Sequence, residues 1–125
     1  MPDTDLEPAE IIETYYEILS SGPEGFDPER LRGILARELD FEGPIAGRRA
    51  GAEPFLEGVA GFVATQRGIK MLQLLVTDRQ AAALYDAQLP GGTLRFAEFF
   101  ELGSGTIAKL RLLFDPAEYR HRGGR

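Results

Sequence analysis

Apolar residues recur at three- and four-residue spacing early in the chain and at two-residue spacing in its second half. Ile11, Ile12, Tyr15, Tyr16 and Leu19 form one stripe, which predicts an amphipathic helix. Thr4 and Glu7 have capping-box spacing at its start, and Pro8 follows where a first helical turn tolerates proline. Ser20-Ser21-Gly22-Pro23 stops it. Asp27-Pro28-Glu29 opens a second helix, with Leu31, Ile34 and Leu35 as its buried face. Leu39-Asp40-Phe41-Glu42 alternates apolar and charged residues, as a short half-buried strand does, and Gly43-Pro44 ends it. A loop through Gly47-Arg48-Arg49 leads to a third helix over Ala52–Thr65, with Phe55, Val59, Phe62 and Val63 on one side. Gly58 and Gly61 weaken that helix by about 1 kcal/mol each relative to alanine, which is tolerable where something packs close against it.

From Ile69 onward the period is two. Strands are expected over Ile69–Thr77, Ala81–Leu89, Thr93–Leu102 and Thr106–Phe114. Their connections, Asp78-Arg79-Gln80, Pro90-Gly91-Gly92 and Gly103-Ser104-Gly105, are short enough only for hairpins, so the strands form an antiparallel meander. The class is α+β, a single domain over residues 1–116, with 117–125 as a loose basic tail. On the third meander strand Glu98, Phe100 and Leu102 share one face, while Phe99 and Glu101 share the other. On the fourth, Leu110, Leu112 and Phe114 alternate with Arg111 and Leu113. A solvated face would not carry Phe99 and Leu113, so both faces are expected to be covered, the outer one by a second copy of the chain.

Composition narrows the functional classes. The 125 residues carry a formal net charge of −6 and no cysteine. The first fact disfavours a nucleic-acid partner, which needs a basic face. The second removes disulfides, thiol nucleophiles and cysteine-based metal sites. An acidic start and the absence of a long apolar run predict a soluble, cytoplasmic protein without a membrane span. The only histidine, His121, falls in the tail. With Ser20 and Ser21 ending a helix and Ser104 at a hairpin tip, no Ser-His-Asp arrangement is expected. Asp3, Asp5 and Glu7 read as a helix cap, and no metal or organic cofactor is predicted. Gly103-Ser104-Gly105-Thr106-Ile107-Ala108 matches a dinucleotide fingerprint by letter, but it joins two strands where that motif must open a helix.

The order helix, helix, short strand, helix, four-stranded meander resembles the nuclear transport factor 2-like superfamily, and within it the SnoaL-like and ketosteroid-isomerase-like branch. Three segments carry the resemblance: Tyr15–Gly22, Leu39–Pro44, and Ala97–Phe100 together with Ile107–Pro116. It implies a cone, a curved antiparallel sheet wrapped around three N-terminal helices in a cystatin-like roll, with a deep apolar pocket inside. The ketosteroid-isomerase likeness places Tyr15 at the tyrosine, and Glu98 near the protonated acid, that hold an enolate oxygen. In those isomerases an apolar site keeps the acid neutral, so that it donates a hydrogen bond. The base position falls on Gly43, which cannot take a proton, and Glu42 should point the other way. The likeness to limonene-epoxide hydrolases matches Asp86 to one aspartate, but Leu84 and Leu112 stand where the arginine and the other aspartate would be.

By strand alternation alone, Glu98 lies between Phe96 and Phe100 on the face expected to look inward. A carboxyl there has its pKa raised by burial and can serve as an acid/base group. A one-residue slip would instead expose it or pair it with Arg95 or Arg111. Tyr15 either donates into the same cavity or is a core aromatic. Tyr85 and Asp86 are adjacent, so only one can face inward. Val59, Phe62, Phe100, Leu110, Leu112 and Phe114 are core residues and candidate pocket wall. Asp40 and Glu42 are expected in solvent, as are Arg48 and Arg49, although a pocket-mouth loop can clamp an acidic ligand. The expected function is binding of a small, largely apolar metabolite in a bacterial-type protein, with isomerase- or cyclase-like acid/base activity left open. The alternative is a homodimeric interaction module with a vestigial cavity.

Overall fold

The computed structural model describes residues 6–124. Thr4 of the expected capping box, with Asp3 and Asp5, lies outside them. Helix α1 (Pro8–Leu19) is entered through a different pair: the Glu7 backbone N–H donates to the Glu10 carboxylate at 3.0 Å. Its stripe is buried as the periodicity predicts, and Ile18 joins it. Full burial of each aliphatic member contributes roughly 1.5–3 kcal/mol.

After α1 the structure departs from the sequence expectation. A single turn, α2 (Gly22–Gly25), follows directly on the expected stop. Helix α3 (Pro28–Arg32) is shorter than its apolar pattern implies. Asp27 caps it, accepting from the backbone N–H groups of Glu29 and Arg30 at 3.1 Å. Ile34 and Leu35 are buried, but not as helix: strand β1 (Leu35–Gly43) already begins there. The segment through Arg48 and Arg49, expected as loop, is strand β2 (Gly47–Ala50), paired antiparallel with β1. Helix α4 (Ala52–Thr65) has the predicted bounds.

Strands β3 (Ile69–Val76), β4 (Gln80–Leu89), β5 (Gly92–Leu102) and β6 (Ile107–Leu113) form the expected meander, each end within a residue of its prediction. The six-stranded sheet has the order β2-β1-β6-β5-β4-β3, and β1 runs parallel to β6. The architecture is α+β, an open curved sheet with helices against one face. Strand alternation is clean on β4, where Ala81, Ala83, Tyr85, Ala87 and Leu89 are buried.

The segment expected as a loose tail instead opens with helix α5 (Pro116–His121). Asp115 Oδ1 caps it, accepting from Ala117 at 3.0 Å and Glu118 at 3.1 Å. Tyr119 is buried, and the Gly91 N–H donates to the Arg122 carbonyl at 2.9 Å, so the end of the chain is fastened to the β4–β5 turn. A Cβ built on Gly91 would meet the Arg122 Cα at 2.9 Å, which explains glycine at that crossing. Among the described residues, no helix is long and apolar enough to cross a membrane.

Among the described residues, nothing covers the apolar side chains on the outer face of the sheet. Phe99, Leu113 and Leu75 are 47%, 59% and 58% exposed. Leu75, Ala82 and Phe99 stand in one cross-strand row, and Leu84, Ala97 and Leu113 lie in the next.

Candidate functional site

Between the inner face of the sheet and helices α1, α4 and α5 lies a cavity of about 530 Å³. That is within the roughly 300–1,000 Å³ of small-molecule sites. Its deep wall includes Tyr15 and Leu19 from α1, Val59 and Phe62 from α4, and Tyr85, Phe96, Glu98 and Leu112 from the sheet. The mouth is formed by Gly43-Pro44-Ile45-Ala46 after β1, with Arg49, Pro54, Glu57 and Gly58. Apart from its chain neighbours and the backbone of its own helix, no described heavy atom lies within 4 Å of a Cβ built on Gly58. The expected close packing against that glycine is therefore not realised; the missing side chain leaves room at the cavity mouth.

Glu98 is the polar centre of the deep wall. It is 1% exposed, placed there by β5 alternation between Phe96 and Phe100. Three phenols close on its carboxyl. Tyr15 donates to Oε2 at 2.7 Å; Tyr16 and Tyr85 donate to Oε1 at 2.8 and 3.0 Å. The arginines that offered it an alternative are engaged elsewhere: Arg95 with Asp86 at 2.8 Å and Arg111 with Glu42 at 3.2 Å. Burial pushes the Glu98 carboxyl above the ordinary carboxylate range, and the three phenolic hydrogen bonds pull it back only in part. The same burial, with the neighbouring Glu98 charge, holds all three tyrosines above the usual phenol range.

Tyr85 and Asp86 separate as strand geometry requires. Tyr85 turns inward and stacks on Phe96 with ring centres 5.4 Å apart. Asp86 turns outward to Arg95, so it does not belong to the wall, which corrects its inclusion among the binding candidates; the arginine holds its carboxyl below the usual range. Val59, Phe62, Leu112 and Phe114 border the cavity, whereas Phe100 and Leu110 are buried behind it and do not.

The position aligned with a catalytic base has its own packing reason for lacking a side chain. Gly43 and Phe41 both face inward, two residues apart on β1. A Cβ on Gly43 would lie 3.0 Å from the Phe41 ring, so Phe41 fills space that a side chain at 43 would need. Glu42 points outward, as expected. Asp40 shares that outward face and binds Arg48 at 2.9 Å.

Two wall or cluster residues are not apparent from the sequence. Tyr16 belongs to the apolar stripe, and nothing local distinguishes its hydroxyl from that of a core tyrosine. Tyr119 falls in the expected tail, although Asp115-Pro116 repeats the signal that opens a helix at Asp27-Pro28.

No protein-family model matches the chain, and no curated protein matches it. Solved structures resemble it over nearly its whole length. A nuclear transport factor 2-like protein of unknown function from Cytophaga hutchinsonii superposes with a TM-score of 0.73 at 18% identity, covering 95% of this chain and 99% of that one. A protein from Kribbella flavida described as a candidate ketosteroid isomerase gives 0.72 at 19% identity, with coverages of 93% and 87%. One from a Jannaschia species, described as a candidate SnoaL-like polyketide cyclase, gives 0.71 at 12% identity, with coverages of 98% and 96%.

Proposed function

We propose that this chain, which has the nuclear transport factor 2-like fold, binds a compact and largely apolar small molecule inside the cone and orients it through Glu98 and Tyr15. The observation that carries this reading is a buried carboxyl on the deep wall of a largely apolar cavity of about 530 Å³. A fully packed cone would have favoured the interaction module with a vestigial cavity.

The two carboxyl oxygens are not equivalent. Oε1 accepts from two phenols, which satisfies both lone pairs of a carbonyl oxygen. Oε2 accepts from Tyr15 alone, so it is the oxygen that holds the acid proton. With that proton in place, Glu98 donates through Oε2 and the Tyr15 hydroxyl is free to turn toward the cavity. Two donors then converge on one ligand oxygen, an arrangement that stabilises charge developing on a carbonyl. This supports proton-transfer chemistry of the isomerase or cyclase kind in part only, because the position of a second acid/base group is Gly43. Binding is the function the geometry supports best.

The test is identification of co-purifying small molecules by native mass spectrometry, followed by calorimetric titration of wild type and Glu98→Gln. Weakened binding on Glu98→Gln supports the reading. A cavity that takes up no small molecule, or a ligand bound equally by both proteins, refutes it. The exposed side chains of Leu75, Phe99 and Leu113, from adjacent rows of the outer face, support the companion proposal that two copies associate through that face of the sheet.

A further inference from the structure

The mouth of the cavity carries a cation that the proposed binding reading leaves unused. Arg49 stands opposite Phe41 in the β1–β2 register, which puts it in the inward-facing row, and it borders the cavity. Its neighbour Arg48 lies on the other face and is neutralised by Asp40 at 2.9 Å. Arg49 is held differently. Its Nε donates to the Ala46 carbonyl at 3.0 Å, which fixes the guanidinium over the 43–46 turn. Among the described residues, no carboxylate stands within ion-pair distance of it. The two terminal nitrogens therefore keep their donors, and a guanidinium presents that pair end-on to two oxygens of one planar anion.

We infer that Arg49 anchors the carboxylate of an amphipathic acid whose apolar body fills the cavity and whose far end reaches the Glu98–Tyr15 pair. The inference rests on the cavity being a small-molecule site and names the class of ligand it takes. Strand spacing supports the fit. β2 and β5 are three strands apart, about 14 Å at roughly 4.8 Å per step, and both side chains reach inward across part of that span. What remains suits one ring or a short chain with a polar group at each end. The formal net charge of −6 makes this local cation the more necessary, since the chain as a whole repels an anion. Glu57 stands on the same rim and would attract an amine instead, so the sign of the ligand's charge is the decisive variable.

Three probes on one scaffold separate the possibilities: para-hydroxyphenylpropanoate, its primary amide and the corresponding amine. Each is titrated by calorimetry into wild type, Arg49→Gln, Arg49→Lys and Glu98→Gln, with thermal melts confirming that the variants fold. The expected result is that wild type prefers the acid to the amide by about tenfold or more, the scale of one charge-assisted contact. Arg49→Gln erases that preference while the amide affinity stays within about twofold, and Arg49→Lys retains part of it. Glu98→Gln weakens acid and amide alike. Equal binding of acid and amide, a preference that survives Arg49→Gln, or tightest binding of the amine overturns the Arg49 inference; amide binding that still depends on Glu98 then leaves the cavity reading standing. Binding of none of the three overturns the Arg49 inference, while a co-purified small molecule whose affinity depends on Glu98 leaves the cavity reading standing.

Discussion

Removing the Tyr16 hydroxyl isolates one of the opposing forces on Glu98 without opening the cavity, because Tyr16 does not border it. In Tyr16→Phe the ring remains, Oε1 keeps its bond from Tyr85, and Oε2 keeps its bond from Tyr15. A hydrogen bond to an ionised carboxylate contributes roughly 1.5–3 kcal/mol, against about 0.5–1.5 to a neutral partner. Tyr16 therefore favours the charged form by about 1–1.5 kcal/mol, which at 1.36 kcal/mol per unit is about one pKa unit. Tyr16→Phe should raise the Glu98 midpoint, already above the ordinary carboxylate range, by about one unit more. Protein labelled with carbon-13 at glutamate side-chain carboxyls, titrated by NMR, measures it; Glu98→Gln assigns the resonance.

Stability carries the same signature. Because the folded chain holds the Glu98 proton to higher pH than the unfolded chain does, the contribution of Glu98 to stability is fully present below the unfolded value of about 4.3. It falls as pH rises toward the folded midpoint and is level beyond it. Tyr16→Phe stretches the falling segment upward by about one unit, and denaturant melts across the acidic and neutral range should show this. A midpoint that stays put or drops on losing Tyr16 would falsify the balance of burial against phenol donation.

The remaining predictions concern other parts of the molecule. Glu98→Leu should destabilise by about 3–5 kcal/mol, because it leaves three buried hydroxyls without their acceptor; a chemical-denaturation loss under about 1 kcal/mol would show that the cluster is slack. Gly91→Ala should cost about 1–3 kcal/mol, since its Cβ meets Arg122 backbone at 2.9 Å, and an unchanged melting temperature would mean the C-terminal fastening yields freely. Leu113→Lys should shift a sheet-to-sheet dimer toward monomer in sedimentation velocity; wild type running as a monomer at micromolar concentration refutes the proposed association.

What the sequence made legible was local. Two-residue alternation located β3 to β6 and turned Glu98 inward, and the three-to-four spacing located α1 and α4. The failures have a common cause. Leu31, Ile34 and Leu35 satisfy a helical period, but Gly33 ends the helix, and Leu35 is buried through pairing with Ile107 across the sheet. β2 has no apolar alternation because it is a short edge strand, exposed at every position. Its identity as strand comes from β1. Tyr16 and Tyr119 gained their places from partners distant in sequence, which no local pattern announces. Inside the site, sequence alternation forced a choice between Tyr85 and Asp86 but supplied no way to make it. The structure decides through the Arg95 partner available on the outer face.

The parallel seam between β1 and β6 ties an early part of the chain to the last of its described strands, and the Tyr15–Glu98 bond spans 83 positions. Such distant pairings close large loops before they return any stabilisation, so folding is expected to be slow for a domain of this length and to wait on the last strand. During synthesis the tyrosines of α1 emerge long before their acceptor does. The hollow is thus a late product of folding, completed only once β6 and Tyr119 have emerged.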